Sequence, residues 1–70
     1  MKVERNDIEV GYKLLSFDDD YNKWHRAEVT KITSSRVHLK DIDSNSEWQG
    51  MDWDVAWSEL GDEKLFKKTK

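Results

Sequence analysis

Apolar and polar residues alternate along the stretch Trp24–Ile32. Successive side chains of a strand point to opposite faces, so His25, Ala27 and Val29 are expected to share one face. The other face then carries Trp24, Arg26 and Glu28. This two-residue period predicts a half-buried β-strand.

A second alternating stretch follows at Arg36–Ile42, after the short polar connection 33–35. Val37 and Leu39 are expected to point inward, and the residues between them outward. Ile42 breaks this alternation, so we predict a β-bulge near Asp41.

Shorter apolar runs predict the remaining strands. Val10–Phe17 reads as a first strand, followed by a polar turn at 18–23, and Glu47–Gln49 reads as a short fourth strand after the turn 43–46. Gly50–Leu60 fits both a strand and a helical turn, and the pattern leaves these alternatives open. We therefore predict a mainly β fold, a small SH3-like (Tudor-like) barrel of about five short strands with room for a short C-terminal helical turn.

The order of these elements resembles the Tudor-like branch of the SH3-like barrels. The matching residues are Val10 and Gly11 at the first strand, the acidic turn 18–20, the run 24–29, the run 37–43 and Leu60. The match covers about fifty residues with short motifs, so it implies a fold more strongly than a function.

Many Tudor domains hold a methylated Lys or Arg in an aromatic cage. On this resemblance the cage positions fall at His25 and near Lys40, Asp41 and Ser44, none of which is aromatic. Only Phe17 and Tyr21 are left as walls, supplied by the first loop. The resemblance therefore does not imply that this chain reads methyl marks.

The composition indicates one small domain. Seventy residues without cysteine exclude disulfides and thiolate zinc sites, so four tryptophans and other aromatics must supply much of the core. We divide the chain into an N-terminal arm at 1–9, the barrel at 10–61 and a basic tail at 62–70, with Val3 and Ile8 as anchors of the arm. No apolar run predicts a signal peptide or membrane segment, so we expect no membrane partner and a cytoplasmic location.

The charge distribution indicates a binding surface. Eight carboxylates and no Lys or Arg lie between Asp41 and Glu63, and one-signed clusters of this kind favour charged partners. We predict a protein–protein interaction module, of the type found among bacterial or phage accessory proteins, whose partner has a basic or mixed surface. The predicted partner-binding residues are Asp52, Trp53, Asp54, Trp57 and Glu59.

The alternative function is nucleic-acid binding through the basic first half of the chain. Cationic side chains would contact phosphates, and a tryptophan would stack on bases. The residues predicted for this alternative are Trp24, Arg26, Lys31, Arg36 and Lys40.

We expect no catalysis, no cofactor and no metal site. The sequence has no cysteine nucleophile, serine elbow or glycine-rich phosphate loop, and a chain this short has little room for a closed pocket. Asp41–Asp52 resembles the start of a calcium loop but carries Ser46 where that loop needs glycine, so we interpret it as a polar turn. The oligomeric state is not predicted.

Overall fold

The structure, a computed structural model, describes residues 3–69. It contains five β-strands, one short α-helical turn and one 3₁₀ turn. In chain order these are the 3₁₀ turn Arg5–Asp7, β1 Lys13–Asp18, β2 Lys23–Ile32, β3 Arg36–Asp41, β4 Asp52–Ala56, α1 Trp57–Leu60 and β5 Phe66–Lys68. The fold is mainly β, as the alternating patterns predict.

All five strands belong to one antiparallel sheet with the order β4-β3-β2-β1-β5. The first four strands form a meander, and β5 returns to pair with β1 on its free side. The sheet is not closed into a barrel by hydrogen bonds, because β4 and β5 pair with one neighbour each. Backbone pairing therefore shows a five-stranded sheet and not a closed barrel.

The core lies on one face of this sheet, which we call the core face. Leu14, Val29, Val37 and Leu39 are completely buried there. The remaining members of the core cluster come from the arm, β4, α1 and β5: Val3, Val55, Leu60 and Phe66. The predicted anchors of the arm are confirmed, since Val3 is buried in the core and Ile8 packs against it.

β2 and β3 confirm the predicted alternation, but the position of the bulge was wrong. The register between these strands shifts between Val29 and Lys31, in β2. Asp41 instead continues the inward series of Val37 and Leu39, and its carboxylate is buried. In β3 the side chains therefore keep alternating through Asp41, and only the apolar character of the inward positions is interrupted there.

The first strand is shorter than predicted. Gly11 has a φ of +96°, which ends the extended conformation, and it donates a hydrogen bond to the Val29 carbonyl at 2.8 Å. β1 therefore begins at Lys13, and Val10 lies outside it and is exposed.

The second half of the chain departs further from the predictions. Glu47–Gln49 forms turns and not a fourth strand. The sequence left strand and helical turn as alternatives for 50–60, and the structure contains both, β4 followed by α1, which is capped by Gly61. The basic tail contains a strand that the sequence did not predict, because Phe66–Lys68 form β5 and pair with β1. In residues 3–69 no helix combines the length and apolar character needed to span a membrane.

Candidate functional site

A pocket of about 430 Å³ lies at the end of the sheet where β1 runs into the turn before β2. We call it the acidic pocket. Its lining residues come from β1, β2, the turn, the loop 42–51 and β4: Ser16, Phe17, Asp18, Asp19, Asp20, His25, Trp48, Met51, Asp52 and Trp53. This lining combines four acidic residues with the aromatic residues Phe17, Trp48 and Trp53 and contains no Lys or Arg.

A buried polar network fixes one wall of the acidic pocket. The Asp18 carboxylate accepts a hydrogen bond from Nε1 of Trp48 and another from the Asp20 backbone N–H at 2.9 Å. Asp18 is only 8% exposed, so these bonds replace water around a charged group. They hold the Trp48 indole against the turn although 30 residues separate the two side chains in sequence.

The same network continues behind the pocket through Asp41. The Ser46 hydroxyl donates to Oδ2 of Asp41 at 2.6 Å, and its oxygen accepts the Trp48 backbone N–H at 3.0 Å. The other oxygen, Oδ1, accepts the Asp43 backbone N–H at 2.9 Å. The loop that carries Trp48 is therefore tied to the end of β3 by a buried carboxylate.

His25 lies between the two buried carboxylates. Its Nδ1 is 2.8 Å from Oδ2 of Asp41, and its Nε2 is 3.8 Å from Oδ2 of Asp18. The imidazole is not aligned for Nδ1–H to donate to Asp41, so Nδ1 has no hydrogen-bond partner within residues 3–69. The contact with Asp41 is close but lacks hydrogen-bond geometry.

The four tryptophans are all half-buried. Trp53 and Trp57 pack against the core, and Trp57 also donates from Nε1 to the Thr33 carbonyl at 3.2 Å. Trp48 makes an edge contact with Tyr21, with ring centroids 6.0 Å apart. Each of these rings therefore combines a packing role with an accessible edge or face.

The predicted partner-binding residues do not form one surface. Trp53 lines the acidic pocket from β4, and Asp52 contributes to its rim. Trp57 lies in α1 under the guanidinium of Arg5, 4.2 Å from the ring centroid. The two remaining residues are exposed outside the pocket, Asp54 in an ion pair with Arg36 and Glu59 accepting the Ala56 backbone N–H.

The alternative set lies together on the opposite side of the sheet, which we call the outer face. Strand alternation and the shifted register after Val29 place all five residues there: Trp24, Arg26, Lys31, Arg36 and Lys40. Their surroundings differ along the face. Lys40 lies opposite Asp52 in the register and Arg36 pairs with Asp54, whereas Trp24 and Arg26 lie toward β1 and β5.

Sequence reasoning missed most of the acidic pocket. Trp48 lies in the turns at 47–50, where the sequence predicted a short strand, and Met51 directly follows them. Asp18, Asp19 and Asp20 were interpreted only as a turn. The one available signal was the acidic run itself, next to Phe17 at the end of an alternating strand. Nothing in the sequence pairs it with Trp48.

In the segment that resembles a calcium loop, the Asp43 carboxylate is engaged in hydrogen bonds with the backbone. Asp43 accepts backbone N–H groups of Asn45 at 3.0 Å and Arg26 at 3.3 Å, and these bonds hold the pKa of its carboxyl below the usual 3.8. Residues 3–69 contain no cluster of His, Asp and Glu arranged to hold a metal ion.

No protein-family model matches this chain, and no curated protein or solved structure is significantly similar to it.

Proposed function

We propose that this chain is a non-enzymatic binding module and that the acidic pocket receives a cationic side chain, Lys or Arg, from a protein partner. The observation that carries the proposal is the lining of this pocket, which has four acidic residues and the aromatic residues Phe17, Trp48 and Trp53 without a compensating Lys or Arg. A cation gains from both kinds of group, through charge pairing and through the faces of aromatic rings.

The arrangement of the lining supports a cation more than an apolar ligand. Asp19 and Asp20 are exposed at the mouth, where they attract a basic partner without loss of their own hydration. Trp48 and Trp53 lie inside and supply apolar contact area. Such a centre of aromatic residues with a charged rim is typical of interaction hot spots.

The pocket also supports the choice of a binding role over catalysis. Two buried carboxylates at and behind its walls are engaged in hydrogen bonds, since Asp18 holds Trp48 and Asp41 holds Ser46, although Nδ1 of the buried His25 has no hydrogen-bond partner in residues 3–69. These bonds keep the walls in place, which lowers the entropy cost of binding. A pocket whose walls are fixed before the ligand arrives is suited to binding.

The experiment is a titration followed by ¹⁵N–¹H spectra and tryptophan fluorescence. The probes are three hexapeptides made only of arginine, only of lysine or only of glutamate. We expect the cationic peptides to shift the Trp48 and Trp53 side-chain resonances in a saturable manner and the glutamate peptide to leave them unchanged. The variant Asp19→Asn/Asp20→Asn should weaken this binding about fivefold or more, since two rim charges contribute roughly 0.5–1 kcal/mol each.

The matched control is Glu9→Gln/Glu63→Gln, which removes two exposed carboxylates that lie outside the pocket. It should bind as the wild type does. Equal weakening by both double variants would show that the cationic peptides sense only the net charge of the chain, and the proposal would be wrong.

We further propose that the sheet is of the SH3-like (Tudor-like) type and that the protein acts in the cytoplasm. Support for the fold comes from the four-stranded meander, the helical turn between β4 and β5, and the return of β5 to β1. A solution structure in which β5 leaves β1 would contradict the fold, and immunofluorescence or fractionation of the native cell tests the location.

A further inference from the structure

The outer face carries a second surface whose chemistry is opposite to that of the acidic pocket. Three apolar side chains, Leu15, Phe17 and Trp24, are half-buried at the β1–β2 side of this face. Three cations adjoin them: Lys13 and Arg26 on the paired strands and Lys67 on β5. We call these six residues the aromatic–basic patch.

Two contacts define the centre of the patch. The rings of Phe17 and Trp24 meet edge to face, with centroids 5.3 Å apart. The Lys67 ammonium lies 4.3 Å from the centroid of the Trp24 ring. A cation and a half-exposed aromatic ring therefore lie side by side. The cation can contact an anion, and the ring can contact a flat apolar group a few ångströms away.

Charges are distributed unevenly over the outer face. Toward β4, the cations are matched by acids, since Arg36 pairs with Asp54 and Lys40 lies opposite Asp52. In the patch, by contrast, Lys13, Arg26 and Lys67 form no ion pair within residues 3–69. Two acids border them, Glu28 opposite Lys13 in the register and Asp43, whose carboxylate accepts the Arg26 backbone N–H at 3.3 Å and interacts with the charge of Arg26. The patch therefore keeps a positive excess on a chain whose net charge is −3.

We propose that the aromatic–basic patch binds single-stranded nucleic acid, with phosphates on Lys13, Arg26 and Lys67 and a base on the Trp24 ring. A phosphate draws the Lys67 ammonium off the indole, and the ring face that it leaves is available for stacking. Single strands fit better than duplexes because their bases are free to stack on aromatic side chains. The residues that would contact the ligand, Lys13, Arg26, Lys67 and Trp24, do not line the acidic pocket, so the proposal does not rest on the function proposed above.

The proposal predicts how strongly the binding of a single strand depends on salt concentration. For single strands the slope of log K against log salt is about −0.7 per phosphate contact, so three contacts give about −2. A fourfold rise in salt should then weaken binding roughly 20-fold. Stacking of one base should make a strand with bases bind at least about fivefold more tightly than an abasic strand.

The experiment measures fluorescence anisotropy of short labelled oligothymidylate and oligouridylate, with an abasic strand, a duplex of equal length and polyglutamate as competitors. The variant Arg26→Ala/Lys67→Ala should reduce the slope to about −0.7 and weaken binding at least tenfold. The control Lys31→Ala/Lys64→Ala removes two exposed lysines outside the patch and should keep the slope near −2.

Four results would overturn the proposal. One is absence of saturable binding to either oligonucleotide at low salt. Another is equal binding of abasic strand, duplex and single strand, because the Trp24 ring then takes no part. The third is equal loss in the two double variants, which would show diffuse attraction. Polyglutamate that competes as well as the oligonucleotides would assign the patch to an acidic protein instead.

Discussion

Replacing Ser46 by alanine tests whether the buried network holds the loop that forms the acidic pocket. The Ser46 hydroxyl makes two hydrogen bonds, donating to the buried Asp41 carboxylate at 2.6 Å and accepting the Trp48 N–H at 3.0 Å. A hydrogen bond to a charged group contributes about 1.5–3 kcal/mol and a neutral one about 0.5–1.5 kcal/mol. We therefore expect Ser46→Ala to lower the free energy of unfolding by about 2–4 kcal/mol.

This loss is large for a chain of 70 residues. At about 0.05–0.15 kcal/mol per residue the whole domain is stable by only roughly 4–10 kcal/mol. Each kcal/mol shifts the Tm of such a domain by about 4–8 °C, so the variant should melt at least about 8 °C lower.

The assay is urea denaturation followed by tryptophan fluorescence, with thermal melts in parallel. Ser44→Ala is the matched control, because Ser44 lies in the same loop, is exposed and makes no side-chain hydrogen bond in the described chain. It should change the unfolding free energy by less than about 0.5 kcal/mol. If both variants fall within this range, water replaces the Ser46 hydroxyl at no cost and the reasoning about the network is refuted.

Three further changes probe the core, a turn and a carboxylate. Leu39→Ala should cost about 2–5 kcal/mol in urea denaturation because Leu39 is completely buried, and a loss below about 1 kcal/mol would contradict the assigned core. Gly50→Ala should cost about 1–2 kcal/mol because Gly50 has a φ of +85°, whereas Gly61→Ala at a φ of −80° should be nearly neutral; equal losses would contradict this. The pKa of Asp43 is lowered by backbone hydrogen bonds, so its stabilising effect is complete above the usual 3.8 and is lost as the pH falls through the folded-state value. The stability gap between wild type and Asp43→Asn should therefore close on acid titration toward about pH 2, and a gap that widens would contradict the sign.

The central strands could be predicted from the sequence because one face of each is buried. Ala27 and Val29 on β2 and Val37 and Leu39 on β3 are completely buried, and the residues between them are not. A strand with one buried face must alternate, so the pattern carries this information locally.

Asp41 shows why the same reasoning fails at the end of β3. A carboxylate at an inward position is costly without partners, so the sequence pattern favours an outward placement and a bulge. The hydrogen-bond donors to Asp41 are the Asp43 backbone N–H and the Ser46 hydroxyl, both in the polar turn that follows β3. A turn of this composition is ordinarily exposed, so the pattern does not show that it folds back onto a buried carboxylate.

The last strand and the pocket were beyond sequence reasoning for a related cause. β5 is three residues long, too short to show a period, and it forms by pairing with β1 at the other end of the chain. Trp48 and Asp18 likewise meet across 30 residues. Both features arise from tertiary contacts between segments that have no repeating pattern of their own.

Phe17 is the physical link between the two proposed sites. Phe17 lines the acidic pocket, and its ring contacts Trp24 in the aromatic–basic patch. A ligand that moves Phe17 in the pocket must therefore also change the packing of Trp24, and by thermodynamic linkage each ligand changes the affinity of the other by the same factor.

The coupling free energy has an electrostatic part and a packing part, and their different dependence on salt distinguishes them. A cation in the pocket offsets negative charge and should favour a polyanion on the outer face, and this electrostatic part should weaken as the Debye length falls from about 8 Å at physiological salt to about 3 Å at 1 M. The packing part should persist at high salt. Coupling measured with arginine hexapeptide and oligothymidylate together therefore assigns any salt-independent remainder to the Phe17–Trp24 contact, and Phe17→Leu should remove that remainder while leaving each separate salt slope unchanged.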